Sequence, residues 1–131
     1  MIINKVALVF CKDKKILMGK NEFKDAFYFI GGSVEEEESG IQALIREVKE
    51  ELDVELDESS IEFLEKFEAE AHGKKDTIVK INLYKGNILG EPKPTSEVIE
   101  LGYFDSTGDQ KLLTPVALKI FPWLKERGYI N

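Results

Sequence analysis

Short apolar runs broken by polar turns fill most of the chain, and one segment switches to a helical period. Residues 2–10 (IINKVALVF) are rich in Val, Ile and Leu and predict a strand. The polar turn at 12–15 leads into a second predicted strand at 16–20, and residues 27–30 (FYFI) form a third, short one. Two more strands are predicted at 61–71 and 77–88. In the second of these Ile78, Lys80 and Asn82 fall on one side and Val79, Ile81 and Leu83 on the other. Residues 73–76 read as a loop, and so do residues 90–96 (GEPKPTS), by their Pro and Gly content. A last strand is predicted at 98–104.

Between these strands, residues 40–52 carry a period near 3.6. Ile41, Leu44, Ile45, Val48 and Leu52 form the apolar stripe that faces a core. Ser39 and Gln42 match a capping box, so Ser39 is the expected N-cap. A second helix is predicted from Thr114 as N-cap and Pro115 as first helical residue to an end near Gly128. Pro122 is expected to kink or interrupt it. Strands, a helix, more strands and a final helix describe an α/β or α+β sandwich.

The first helix also carries chemistry. Glu47, Glu50 and Glu51 stand at i, i+3 and i+4, which puts three carboxylates on one face, beside the apolar stripe. Ala43, one turn earlier, is expected on the same acidic side, leaving space there. Like charges at this spacing cost an isolated helix about 0.2–0.5 kcal/mol per pair, and a cation between them would reverse the sign. Oxygen-only donors suit Mg²⁺ or Mn²⁺ better than zinc or copper. A solvated acidic face is the ordinary reading of such a triplet taken alone. Likewise Gly31-Gly32 alone is an ordinary turn, and Arg46 alone a surface ion-pair partner.

Taken together, Gly32, Glu38, Arg46-Glu47 and Glu50-Glu51 follow the pattern G-x5-E-x7-R-E-U-x-E-E-x-G-U, with U aliphatic. Residues 32–54 therefore resemble the box of the Nudix (MutT-like) hydrolases. The resemblance implies an αβα sandwich with a mixed β-sheet. It implies a pyrophosphohydrolase that cleaves a diphosphate linkage in a nucleoside triphosphate or other nucleoside diphosphate derivative, with Mg²⁺ or Mn²⁺ as cofactor. Glu47, Glu50, Glu51 and the Gly31 carbonyl would hold the metal, and Gly31 and Gly32 would approach the substrate. Arg46 would orient the glutamates, and Glu38 would be structural. Glu47 or Glu97 would act as base, with Glu91 and Glu100 as rivals to Glu97 and an ordinary surface carboxylate as the alternative for each.

The chain departs from the family pattern where Asp53 replaces the second box glycine, where Glu37 replaces a frequent glycine, and where Ile30 replaces a frequent proline. Glycine at the helix end usually adopts a left-handed cap, a conformation that Asp tolerates less well. Other classes stay open beside the hydrolase: a catalytically silent Nudix-fold domain that binds a nucleotide or other phosphorylated ligand, a Nudix-like isomerase, or a divalent-ion buffer.

Composition narrows the partners. At 131 residues the chain is expected to form one domain, 1–131. Its formal net charge of −7 argues against a nucleic-acid polymer or an anionic membrane as main partner, while leaving a small nucleotide met through metal ions. Cys11 is the sole cysteine, so it forms no internal disulfide and is expected to pack rather than react. The run to Phe10 is interrupted by Asn4-Lys5, unlike a signal peptide, and no segment is long and apolar enough to span a bilayer. A cytoplasmic protein is the expectation. Family members often form homodimers, which leaves a homodimer open. Phe23, Phe27, Tyr28, Phe29, Tyr84, Tyr103 and Phe104 include candidates for base stacking, although strand aromatics are mostly core. Trp123 is expected to pack the last helix, and His72 to serve a surface or hydrogen-bonding role.

Overall fold

The computed structural model describes residues 1–23, 25–70 and 74–131. His72 lies outside the described residues, as do the neighbouring Ala71 and Gly73. The elements run β1 (Ile2–Val9), β2 (Cys11–Lys12), β3 (Lys15–Asn21), β4 (Tyr28–Phe29), β5 (Gly31–Ser33), α1 (Gly40–Leu52), β6 (Glu55–Leu56), β7 (Glu62–Glu70), β8 (Ile78–Lys85), β9 (Ile88–Leu89), β10 (Val98–Phe104) and α2 (Pro115–Glu126).

One mixed sheet has the order β5-β1-β8-β7. Its central pair, β1 and β8, is parallel in the register Ile2↔Ile78 to Val9↔Lys85, while β5 and β7 pair antiparallel at its two edges. A second sheet has the order β10-β3-β2, with β4 also pairing β3. The short pair β6-β9 completes the strands. The run predicted at 77–88 is thus two strands: β8 stops at Lys85, and after Gly86-Asn87 the chain turns to pair β9 with β6. The run at 27–30 also breaks up. Tyr28 and Phe29 pair with β3, Phe27 bridges to Leu113, and Gly31 begins β5 on the other sheet.

Alternation along β1 and β8 feeds two cores, one on each face of the mixed sheet. Val6 and Leu8 with Tyr84 pack beneath α1 against Leu44, Val48 and Leu52. Ala7 and Val9 with Ile81 and Leu83 face the other way, against Ile120, Phe121 and Leu124 of α2. The two helices therefore flank the sheets as in an αβα sandwich.

Helix α1 forms with the predicted bounds. Ser39 and Gln42 make the reciprocal capping box, with hydrogen bonds of 3.1 and 2.8 Å. The buried stripe is rotated from the predicted one, however. Ala43 has no exposed surface and lies in the core rather than on the acidic side. Ile41 is 43% exposed, and Glu51 is drawn into the seam at 8%. The sequence period fixes which residues share a face, but the sheet beneath decides where the seam falls.

Helix α2 starts at its Thr114 cap, whose hydroxyl accepts from Ala117 N–H. It runs through Pro122 without a break, so of the kink or interruption expected there the interruption does not occur. Pro122 sits on the solvent side, so the Leu118 carbonyl it leaves without a helical donor can be met by water. Its neighbours Ile120, Phe121 and Leu124 are anchored in the core. Trp123 packs between Phe67 and Tyr129, with the Arg127 guanidinium 4.1 Å from its ring centre.

Candidate active site

The β5–α1 unit assembles the box residues. Gly31 pairs with Ala7 at φ 150°, and a Cβ there would collide with the Val6 carbonyl oxygen, so only glycine fits. Gly32 next to it is open for a different reason. A Cβ on Gly32 would lie 2.7 Å from the Glu47 carboxyl carbon, so the missing side chain is the space the carboxylate uses.

Arg46 organises the acids. Its Nε and one terminal nitrogen grip Glu38 through both carboxylate oxygens at 2.8 and 2.9 Å. That grip lowers the Glu38 carboxyl to about 2, helped by a hydrogen bond from Glu35 N–H. The other terminal nitrogen donates to Glu47 at 2.8 Å and reaches Glu50 at 3.5 Å. A further bond to the Ser33 carbonyl at 3.1 Å ties the helix to β5. Arg46 thus bonds to Glu38, Glu47, Glu50 and the Ser33 carbonyl.

Glu51 is the buried acid. Its Oε1 accepts from Gly31 N–H at 2.9 Å. Burial raises its carboxyl to about 8 against that hydrogen bond, and the charges of Glu47, Glu50 and Glu97 push the same way. Glu47 is likewise raised, first by burial, although Arg46 counters. The charges of Glu47, Glu50 and Glu97 therefore all reach Glu51, and Arg46 bonds to Glu47 and Glu50.

Glu97 comes from the loop before β10 and joins this group. Its rivals do not: Glu91 lies by Tyr103, and Glu100 stands opposite Lys20 in the β10–β3 ladder. Tyr28, on the α1 side of β4, also faces the acids. Burial, then Glu51, raises its hydroxyl to about 12, and Asn21 hydrogen-bonds to it. Among the other aromatics, Phe27, Phe29 and Phe104 pack in the α2 core, Tyr84 packs beneath α1, and Phe23 is 84% exposed. Neither Asn21 nor Thr95, whose hydroxyl bonds the Glu50 carbonyl, stands out in the sequence. The only signal for Thr95 is its place in a TSE turn after the Pro-rich loop.

The donors fit a hard divalent cation in chemistry: carboxylate and backbone oxygens without sulfur or imidazole, centred on a buried acid whose like-charged neighbours a dication would stabilise. Their present orientation is not a formed cage. Among the described residues no three acidic, His or Cys side chains converge on one point, and Arg46 bonds to both Glu47 and Glu50.

The arrangement is an αβα sandwich with an arginine-bonded acidic helix at one edge of its sheet. The sequence profile of the NUDIX domain matches residues 2–124, and the chain belongs to that family. Solved structures agree in fold. A MutT NUDIX hydrolase from Burkholderia pseudomallei is 20% identical, with 93% of this chain and 97% of that one covered and a TM-score of 0.80. A NUDIX hydrolase from Nitrosomonas europaea is 18% identical, over 99% and 93%, with a TM-score of 0.80. The ORF135 protein of E. coli is 26% identical, over 96% and 92%, with a TM-score of 0.74. Comparison with curated proteins gives no match.

Proposed function

We propose that the protein hydrolyses the diphosphate linkage of a nucleoside triphosphate or other nucleoside diphosphate derivative, with Mg²⁺ or Mn²⁺ held by Glu47, Glu50, Glu51 and the Gly31 carbonyl. The observation that carries this reading is Glu51: an acid 8% exposed, hydrogen-bonded to Gly31 N–H and within reach of the charges of three further carboxylates. A bound divalent ion would supply neutralisation of the phosphate oxygens and an acidified water. The chain's own residues do the rest. Gly31 N–H seats Glu51, Gly32 leaves room for the Glu47 carboxylate, Arg46 holds Glu47 in line, and Glu97 takes the proton of the attacking water. The water oxygen bonds to phosphorus as the bridging P–O bond breaks, leaving two phosphorylated products.

A second reading, a silent ligand-binding or regulatory domain, is favoured by one observation: Arg46 occupies two of the three metal-site acids. One experiment separates the two. The protein is incubated with Mg²⁺ or Mn²⁺ and a panel of nucleoside triphosphates, dinucleoside polyphosphates and nucleotide sugars, and released phosphate and pyrophosphate are measured. The panel includes sugar nucleotides because one structural neighbour, 17% identical, bears the name UDP-X diphosphatase. Turnover that falls at least about 100-fold in Glu50→Gln and Glu51→Gln supports the hydrolase. Tight binding without turnover supports the silent domain, and turnover unchanged by both substitutions removes the metal site from these residues.

A further inference from the structure

The last turn of α1 leaves the carbonyls of Glu50, Glu51 and Leu52 without donors inside the helix. All three are met from one loop. The Thr95 hydroxyl donates to the Glu50 carbonyl, Thr95 N–H to the Glu51 carbonyl at 3.1 Å, and Lys93 N–H to the Leu52 carbonyl at 2.8 Å. The loop enters through Gly90 at φ 116° and leaves through Ser96, whose φ of 58° is left-handed. Val98 N–H donates back to the Thr95 carbonyl at 3.1 Å, closing a tight turn with Ser96 and Glu97 at its tip. On the far side Val98 is buried, packed beside Gly19 and Ile30. Glu97 thus stands between two anchors, one gripping the helix and the other fixed in the core.

We propose that Thr95 is the positioning residue for Glu97: by clamping the carbonyls of Glu50 and Glu51 it fixes the turn that carries Glu97 against the acids of α1. Its catalytic meaning rests on the hydrolase reading above. The two carbonyls gripped belong to the same residues whose carboxylates form the acidic face. A shift of Thr95 therefore changes the distance between Glu97 and Glu51 directly. An end-cap for the helix alone would not require this, since the bonds lie at an exposed helix end where water can replace a hydroxyl.

The test compares Thr95→Val, which keeps the shape and loses the hydroxyl, with Thr95→Ser, which keeps the hydroxyl. On a substrate found with the panel, Thr95→Val is expected to lower kcat by about tenfold with KM nearly unchanged, and Thr95→Ser to restore most of it. In a Glu97→Gln background, Thr95→Val is expected to cost nothing further, because both act through one group. Additive losses, a fully active Thr95→Val protein, no rescue by Ser, or a fully active Glu97→Gln protein each overturn the proposal. If nothing on the panel is hydrolysed, the hydrolase reading fails by itself, and amide exchange then decides for Thr95. Exchange of the Thr95 and Val98 amides about tenfold faster in Thr95→Val and normal in Thr95→Ser supports the clamp, while unchanged exchange overturns it.

Discussion

The carboxylate of Glu47 lies where a side chain on Gly32 would be: a Cβ there would come within 2.7 Å of it. Gly32→Ala is therefore expected to displace Glu47 and little else, because what gives way is the end of a side chain. Activity should fall about 100-fold, the scale of an ångström's misplacement, with near-native urea stability. Gly31→Ala meets the Val6 backbone oxygen instead and is expected to disrupt the β1–β5 pairing and reduce folded protein. Comparing circular dichroism and activity for the two variants checks both outcomes.

Arg46 joins four groups through a planar fork: Glu38, Glu47, Glu50 and the Ser33 carbonyl. Arg46→Lys keeps the charge and loses the two-point grip on Glu38. It is expected to lower stability by about 1–3 kcal/mol in urea titration and to reduce kcat. Recovery of neither stability nor activity on raising Mg²⁺ is expected, because charge is not what is lost. Full activity in Arg46→Lys would show that the fork is not needed to orient Glu47.

Glu37 and Asp53, which stand where the family pattern has glycines, both adopt positive φ, 64° and 53°. The left-handed conformation costs an ordinary L-residue roughly 1–2 kcal/mol, less for Asp, while glycine pays more in unfolded-state entropy. Glu37→Gly should therefore stabilise by about 0.5–1 kcal/mol, and Asp53→Gly by less. Asp53 also gives up a 3.7 Å contact to exposed Lys49, which contributes little. Urea midpoints with an unchanged m value test the order of the two effects.

Burial raises the Cys11 thiol to about 11, and it packs against the α2 core. The folded chain thus keeps its thiol proton at a pH where the unfolded chain has lost it. Linkage then makes stability fall as pH rises from about 9 to about 11, with no contribution below that window. Cys11→Ala should flatten this part of the stability–pH curve. Alkylation by iodoacetamide at pH 8 should be slow in the folded protein and fast in urea. Rapid alkylation of folded protein would place Cys11 at the surface.

The parts legible in the sequence are those set by local spacing. The α1 bounds, its capping box, the shared face of three glutamates and the bounds of β10 all follow from neighbours within a few residues. Tertiary packing decided the others. Sequence period could not say that Ala43 faces the core or that Glu51 lies in the seam, since both depend on where the sheet meets the helix. Pro122 is carried inside α2 by core residues on either side. Glu97 was singled out by its loop, but what brings it to Glu51 is a set of hydrogen bonds spanning about forty-five residues. No local pattern encodes such a contact.

The parallel pairing of β1 with β8 orders events during synthesis. Of this pair β1 leaves the ribosome before β8, lies in the interior of its sheet, and waits 76 positions for its neighbour, Ile2 facing Ile78. Until then Ala7 and Val9 lack Ile81 and Leu83, the β8 side chains they pack with on the α2 face. Loop closure over that separation must precede the gain from pairing, so acquisition of the native state waits for the middle of the chain rather than its beginning.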